Sequence, residues 1–442
     1  MLNGGAWEYG TYSLYGTEIL LWTIIVLFSI KKLSDKNFRV TLLKNRLLHY
    51  FIASLLALSV LAIFSVDSKI SFYHLFHFID GVLAAWVVYS LGKEVGSGYL
   101  FASFWLGGVV QGGFAVWQFL AQYAPGSKWL GLAMHKATDL GASVIEFGDE
   151  RWLRAYGSFG SPNSLGLYLA VVLVAGLTLI CHPRATAKRR GPAEAVTNGD
   201  PGRPMDNLDF RFRENDRIKR IVLTAGQLII LTGLLFSFSR GAWVAVAAGI
   251  LATGILLLIN RDKKNLLRLG KQTFFSLLLI AMALIIFKSV FFARFNAQNR
   301  LEAMSLNERK SQAREAINFF WTKPLTGVGA GAYTLAAYQQ NPNLPTWRYQ
   351  PVHNIYFLTL AELGVVGFII VSLFHCFIVS LFVKRRSLWI VLGVVLIVGG
   401  MFDHWFWSMY TGIVVWGVGW GLILKMSLFE TKDAVDNPNL SA

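Results

Sequence analysis

The sequence predicts an all-α, polytopic integral membrane protein of about eleven to twelve transmembrane helices, with one long extracytoplasmic loop containing an amphipathic helix. Three observations predict it. The 442 residues are 55% hydrophobic and only 15% charged, with 15 Trp and 33 Phe, too little charge for a water-soluble surface of this size. Apolar runs of about 18 residues or more recur along the chain, long enough to cross a hydrocarbon core about 30 Å thick; such runs satisfy their backbone polar groups in lipid as helices. Lys and Arg, finally, gather in alternate connections between these runs.

Eleven spans follow, near 14–30, 47–66, 72–91, 99–121, 164–181, 221–237, 241–260, 272–292, 355–383, 387–402 and 409–424. The opening residues Met1 to Glu8 lack the basic region of a cleavable signal, so the first span is expected to stay in the protein. Cys181 and Cys376 both fall in apolar runs and read as packing residues, not as a disulfide or metal pair.

The net charge of +16 is a topology signal. Lys31, Lys32, Lys36, Arg39, Lys44 and Arg46 fill the first connection, and ten basic residues from Arg184 to Arg220 fill the link between the fifth and sixth spans. Arg261, Lys263, Lys264, Arg268 and Lys271 follow the seventh span, and Lys384, Arg385 and Arg386 the ninth. With Lys93, Lys425 and Lys432, one side collects about 27 of the 41 Lys and Arg, and that side is predicted to be cytoplasmic. Basic charge distributed this way argues against nucleic acid as a partner and for membrane lipids. The link 182–220, with Gly191-Pro192 and Asn198-Gly199-Asp200-Pro201-Gly202, reads as a flexible cytoplasmic linker.

The opposite face receives residues 122–163, the turn after Phe236, the long loop 293–354 and the turn around Asp403-His404. Each brings an arginine or histidine to the end of a span. Phe236-Ser237-Phe238-Ser239-Arg240-Gly241-Ala242-Trp243 sets one arginine between two apolar helices with almost no loop. A guanidinium there either snorkels to headgroups or grips phosphate through its planar fork, with Ser237 and Ser239 as further donors and Gly241 allowing close approach. Before the fifth span, Arg154 precedes Gly157, Gly160 and Pro162-Asn163, the small residues and proline of a sharp turn into a helix.

In the long loop, Ala313, Ala316, Ile317 and Phe320 repeat at helical spacing within an amphipathic segment from Glu308 to Thr322. Arg309 and Arg314 differ by five positions and so point in different directions. Pro324 and the run Gly327-Val328-Gly329-Ala330-Gly331 make a tight reversal, and no Walker-type sequence supports nucleotide binding. His353-Asn354 closes the loop at the start of the ninth span. A neutral imidazole is suited to taking a proton from a hydroxyl, and no cluster of Asp, Glu, His or Cys near it in sequence has metal-ligand spacing. Arginines for a phosphate and a histidine for a hydroxyl imply a transfer with a phosphate leaving group. Outside the cytoplasm the activated donor is expected to be a lipid-linked diphosphate.

At these residues the chain resembles a known family. The Phe236–Trp243 turn, Arg309 with Pro324–Gly331, and His353-Asn354-Ile355-Tyr356 with Glu362-Leu363-Gly364-Val365-Val366-Gly367 look like the O-antigen ligase and polymerase superfamily; Arg154 with Gly157-Ser158-Phe159 is similar to an upstream element. The resemblance covers roughly 150–370 and divides the chain into N-terminal helices (1–150), a ligase-like core (151–383) and C-terminal helices with a cytoplasmic tail (384–442). It implies a metal-independent, inverting glycosyltransferase of the bacterial cytoplasmic membrane that needs no cofactor and works on the periplasmic face. The donor it implies is an undecaprenyl-diphosphate-linked glycan. Lipid A core is the favoured acceptor; a growing glycan (polymerase) or a protein stays open. His353 would be the general base and Arg240 and Arg309 the groups on the diphosphate, with Arg154, Arg314 and Asn354 as further substrate contacts. His404, between the turn and Trp405 and Trp407, either stacks on sugar or anchors at the interface. Members of this family typically show twelve spans, one more than the eleven counted. A lipid-linked glycan transporter is the reading from another class; it would place ionisable residues mid-helix, where Asp80 is the main candidate.

Overall fold

The computed structural model describes residues 14–33, 46–91, 97–127, 132–181, 216–296, 298–383 and 387–436. Every expected span is a helix: α1 (Gly16–Leu33), α2 (Arg46–Ile63), α3 (Ser68–Leu91), α4 (Ser97–Ala121), α5 (Pro162–Cys181), α6 (Asp216–Phe236), α7 (Arg240–Ile259), α8 (Lys263–Ile286), then after shorter helices α12 (Ile355–Val383), α13 (Ile390–Gly400) and, after the one-turn α14 (Trp405–Ser408), α15 (Tyr410–Asp436). Six of them, α3, α4, α5, α7, α8 and α12, contain a stretch long and apolar enough to cross a membrane unaided. The protein is thus an all-α polytopic membrane protein. The basic residues placed at 34–45, 92–96, 182–215 and 384–386, and the linker reading, lie outside the described residues.

The core is built around α5. Leu165, Leu169, Val171 and Val174 are wholly buried, and α4, α6, α7, α8 and α13 all pack on this helix. A helix apolar on every side needs such a jacket. α8 is also apolar, yet Leu277, Leu278 and Ile285 are exposed, as a lipid-facing helix requires. The expected span near 387–402 is shorter than a span: α13 has 11 residues, a rise of about 16 Å. It packs against α7 and α5 with Val391, Leu392 and Val395 buried. Of the two cysteines, both free, Cys181 is buried as expected and Cys376 is exposed on α12.

The long loop is mostly helix. α9 (Lys288–Phe295) continues from α8, α10 spans Arg300–Thr322, and α11 spans Tyr333–Gln340. α10 starts eight residues before the expected Glu308, and its buried face is Glu302, Ala316 and Phe319, while Ile317 is 40% exposed. Its packing stripe is therefore rotated from the one the alanine spacing suggests. Within 122–153, which carries no helical period, the described residues form two antiparallel strand pairs, β1 (Tyr123–Ala124) with β2 (His135–Lys136) and β3 (Val144–Phe147) with β4 (Glu150–Leu153).

The glycine run of the loop serves a break in α12. At Gly364 the backbone leaves the helical region (φ 61, ψ −171). The segment Pro324–Gly329 fills the gap: Val328 and Gly329 donate their N–H groups to Ala361 O (2.9 Å) and Glu362 O (2.7 Å), while Val365 N donates to Pro324 O at 2.8 Å. Carbonyls and amides freed by the break are thereby satisfied by protein, as backbone at membrane depth must be. Contact is too close for a side chain: a Cβ on Gly327 (φ +67) would stand 2.3 Å from the Glu362 carbonyl carbon.

Candidate active site

The turn between α6 and α7 carries the first half of the site. Phe238 adopts φ 47, a left-handed conformation that costs a bulky residue roughly 1–3 kcal/mol and is held here by complete burial. The turn aims its carbonyls at two arginines. Ser237 O accepts from Arg154 Nε at 2.9 Å, and Phe238 O accepts from Arg294 Nε at 3.1 Å. These are the unsatisfied carbonyls at the end of α6, where cationic partners are favourable. Ser237 is not free to act on a ligand, since its buried hydroxyl donates to Leu234 O. Gly241 does permit a close approach, by Phe402, which packs the 401–404 turn against α7.

Glu302, at the start of α10, organises the arginines. Its buried carboxylate pairs with Arg294 through Oε1 and with Arg240 through Oε2, the latter at 3.0 Å. The Arg294 side chain is buried and that of Arg240 is 29% exposed, so Arg240 is the accessible member. Arg154 Nη2 donates to Asn163 Oδ1 at 2.8 Å, at the first turn of α5. Arg309, half-buried on α10, interacts electrostatically with Asp403, Arg240 and Glu302. Burial lowers the pKa of Arg309, of Arg294 and, furthest, of Arg154; the nearby Arg294 adds to the effect on Arg154, and Arg240 to that on Arg294 and Arg309. Four guanidiniums thus share two carboxylates, Glu302 and Asp403. An anion entering this cluster would relieve repulsion that the protein leaves uncompensated.

His353 stands at the other end of the cluster, just before α12. Its Nδ1 is 3.5 Å from Asp403 Oδ2, an ion-pair distance once the ring is protonated and too long for a firm hydrogen bond. Asp403 is fixed from behind by Trp405 N, which donates to its Oδ1 at 3.0 Å. Burial would raise the pKa of Asp403, but His353 and His404 outweigh it and hold the carboxyl well below the usual carboxylate range. His404 packs its ring 5.1 Å from that of His353 and contacts the Ser408 hydroxyl through Nδ1. Burial pushes its pKa down to about 4. Asn354 caps α12, with Oδ1 accepting from Tyr356 N and Phe357 N, and its amide donates to Met401 O at 2.9 Å. That bond ties the His353 turn to the Asp403 turn. Glu362 completes the frame by accepting from Trp407 Nε1 at 2.7 Å.

The structure therefore brings together Arg154, Arg240, Arg309, His353, Asn354 and His404. Arg314 is exposed on another face of α10 and joins no described contact of the cluster. His404, Trp405 and Trp407 are buried in protein, so they do not form an interfacial aromatic belt. Three positions of the cluster escape sequence reasoning. Arg294 and Glu302 carry one usable signal: no Asp or Glu occurs between Asp262 and Glu302, which isolates a single carboxylate among basic residues. Asp403 lies 50 positions from its partner. The expectation that no metal-ligand group surrounds His353 needs the same correction, because His353, Asp403 and His404 bring one ligand atom each within 4.8 Å of one another.

No curated protein matches this chain. Residues 225–372, about a third of the chain, run from within α6 to within α12 and include Arg240, Arg294, Glu302, Arg309 and His353; they match the family model described as O-antigen ligase, which supports the likeness to the O-antigen ligase and polymerase superfamily.

Proposed function

We propose that the protein is a membrane glycosyltransferase that moves a glycan from undecaprenyl diphosphate to an acceptor hydroxyl on the extracytoplasmic face of the bacterial cytoplasmic membrane, with lipid A core as the acceptor. The observation that carries this reading is the excess of guanidinium charge beside a histidine–aspartate pair. Arg240 and Arg309, the accessible cations of the cluster, take the diphosphate, with Arg154 and Arg294 behind them. Each charge-assisted bond contributes on the order of 1.5–3 kcal/mol as charge develops on the departing diphosphate. His353 takes the acceptor proton through Nε2, because Nδ1 faces Asp403. Attack of the hydroxyl on the anomeric carbon and departure of the diphosphate in one displacement invert that carbon.

Asp403 meets the imidazolium that forms, and so positions and stabilises His353 without touching substrate. The same groups disfavour a metal at His353: Arg309 lies within electrostatic reach of Asp403, and a cation there would meet it. Asn354 acts by holding the His353 turn, and His404 by packing behind it; Arg314 is left for the glycan beyond the cluster. The chain's orientation rests on its basic connections.

His353→Ala and Arg240→Ala are each expected to abolish transfer in membranes while insertion stays normal. Full transfer by either variant refutes the mechanism. The glycan left in a deletion strain separates the acceptors: long free lipid-linked chains accompany loss of a ligase, unpolymerised repeats loss of a polymerase.

A further inference from the structure

Glu18 on α1 and His77 and Asp80 on α3 form a second titratable group, which the proposed transfer does not use. α1 turns Ile19, Leu20, Ile24, Leu27 and Ile30 outward and buries Glu18, Ile25 and Phe28. A carboxylate therefore occupies the packing seam of an otherwise apolar helix. Glu18 is 3% exposed, His77 5% and Asp80 0%. Both Asp80 oxygens and His77 Nε2 lack a hydrogen-bond partner, and among the described residues no Lys or Arg pairs with either carboxylate.

An ionisable side chain inside a membrane is expensive, and a buried charge is paired, neutralised or bound to a metal. Here one ligand atom from each of the three residues lies within 4.8 Å of the others. His77 Nε2 is 3.7 Å from Glu18 Oε1, beyond hydrogen-bond reach. It is close to the separation of about 3.4 Å that two ligands adopt around an ion at bond lengths of about 2.0–2.2 Å. Aromatic rings enclose the group. The His77 ring meets Tyr73 at 4.4 Å and Tyr410 of α15 at 5.2 Å, and Tyr15 stacks on Tyr410 at 4.7 Å. Such a wall excludes water and makes two unneutralised carboxylates costlier still.

We propose that Glu18, His77 and Asp80 bind one divalent transition-metal cation of the Zn2+ class, through one imidazole nitrogen and carboxylate oxygens, and so clamp α1 to α3 beside α15. The proposal is independent of the transfer reaction. Its test is a titration of the chelator-stripped full-length protein in detergent with Co2+, followed by absorption, and with Zn2+, followed by calorimetry and thermal unfolding.

One ion per chain is expected to bind and to raise Tm. Asp80→Asn and His77→Gln should each weaken binding by at least about tenfold, and the milder Glu18→Gln variant should weaken it too. Monodisperse elution of each variant keeps loss of binding separate from loss of fold. His353→Ala should leave the affinity unchanged, which separates this site from the His353, Asp403 and His404 group. No stoichiometric binding by the unmodified chain overturns the proposal, as does binding that survives both α3 variants or disappears in His353→Ala.

Discussion

Asp403→Asn removes one negative charge from behind His353 and leaves the local fold in place, because an asparagine oxygen still accepts from Trp405 N. The carboxylate oxygen stands 3.5 Å from His353 Nδ1. At an effective dielectric of about 20, that separation gives an attraction of about 4–5 kcal/mol for an imidazolium. The His353 side chain is 24% exposed, and solvent screening reduces the figure to about 3 kcal/mol. The interaction exists only once the ring has taken the acceptor proton, so the loss falls on the transition state. The expected result is a kcat lowered on the order of 100-fold with KM nearly unchanged. Initial rates with purified protein, lipid-linked donor and acceptor measure it. A kcat within about threefold of the unmodified protein, or a defect confined to KM, refutes the role given to Asp403.

Three further outcomes follow from the same geometry. Glu302→Gln strands the buried Arg294 guanidinium and should cost about 3–5 kcal/mol of stability, part of which returns in the Glu302→Gln, Arg294→Met double variant when both are compared by thermal unfolding. Gly327→Ala forces a methyl group against the Glu362 backbone at a positive φ; the variant should lose at least about 2 kcal/mol and open the 324–331 segment to protease, and an unchanged Tm would contradict the docking of that segment at the α12 break. Burial holds His404 neutral down to a pKa of about 4 against an ordinary 6.5. The unfolded chain therefore binds a proton first as pH falls, and stability is full above pH 6.5 and declines toward pH 4, by up to about 3 kcal/mol. Asp403 adds a loss only below its ordinary carboxylate range. The difference in Tm between the unmodified protein and His404→Gln should grow smaller or reverse across that window, and a constant difference would exclude His404 as its source.

Much of the site was legible because helix ends are legible. Arg240 and His353 stand out in sequence since charged residues are costly beside apolar runs, and each lies where such a run stops; Arg309 lies inside the polar helix of the long loop. Their separation on a helix says only that Arg309 and Arg314 face different ways; the spacing to Pro324 in the resembled family favours Arg309, and the structure leaves Arg314 exposed while Arg309 interacts electrostatically with Asp403. Asp403, Arg294 and Glu302 were not legible as a group, because ion pairing depends on distance in space and their separations of 50 residues and 8 residues carry no periodic signal. Asn354 shows the converse. Its type and place suggest a substrate contact, yet its oxygen caps a helix and its amide braces the neighbouring turn.

The sequence by itself determined the class of this protein, the position of its helices and the face on which arginines and histidine accumulate. Those follow from transfer free energies of side chains, which are properties of short segments. Only the tertiary structure decided that α5 is jacketed by protein while α8, also apolar, faces lipid, that α12 breaks at Gly364 around the glycine-rich segment, and that one buried glutamate gathers the arginines. Hydropathy cannot separate a lipid-facing surface from a protein-facing one, since hydrocarbon and core side chains are equally apolar. Packing and charge pairing make that distinction, and both require the assembled fold.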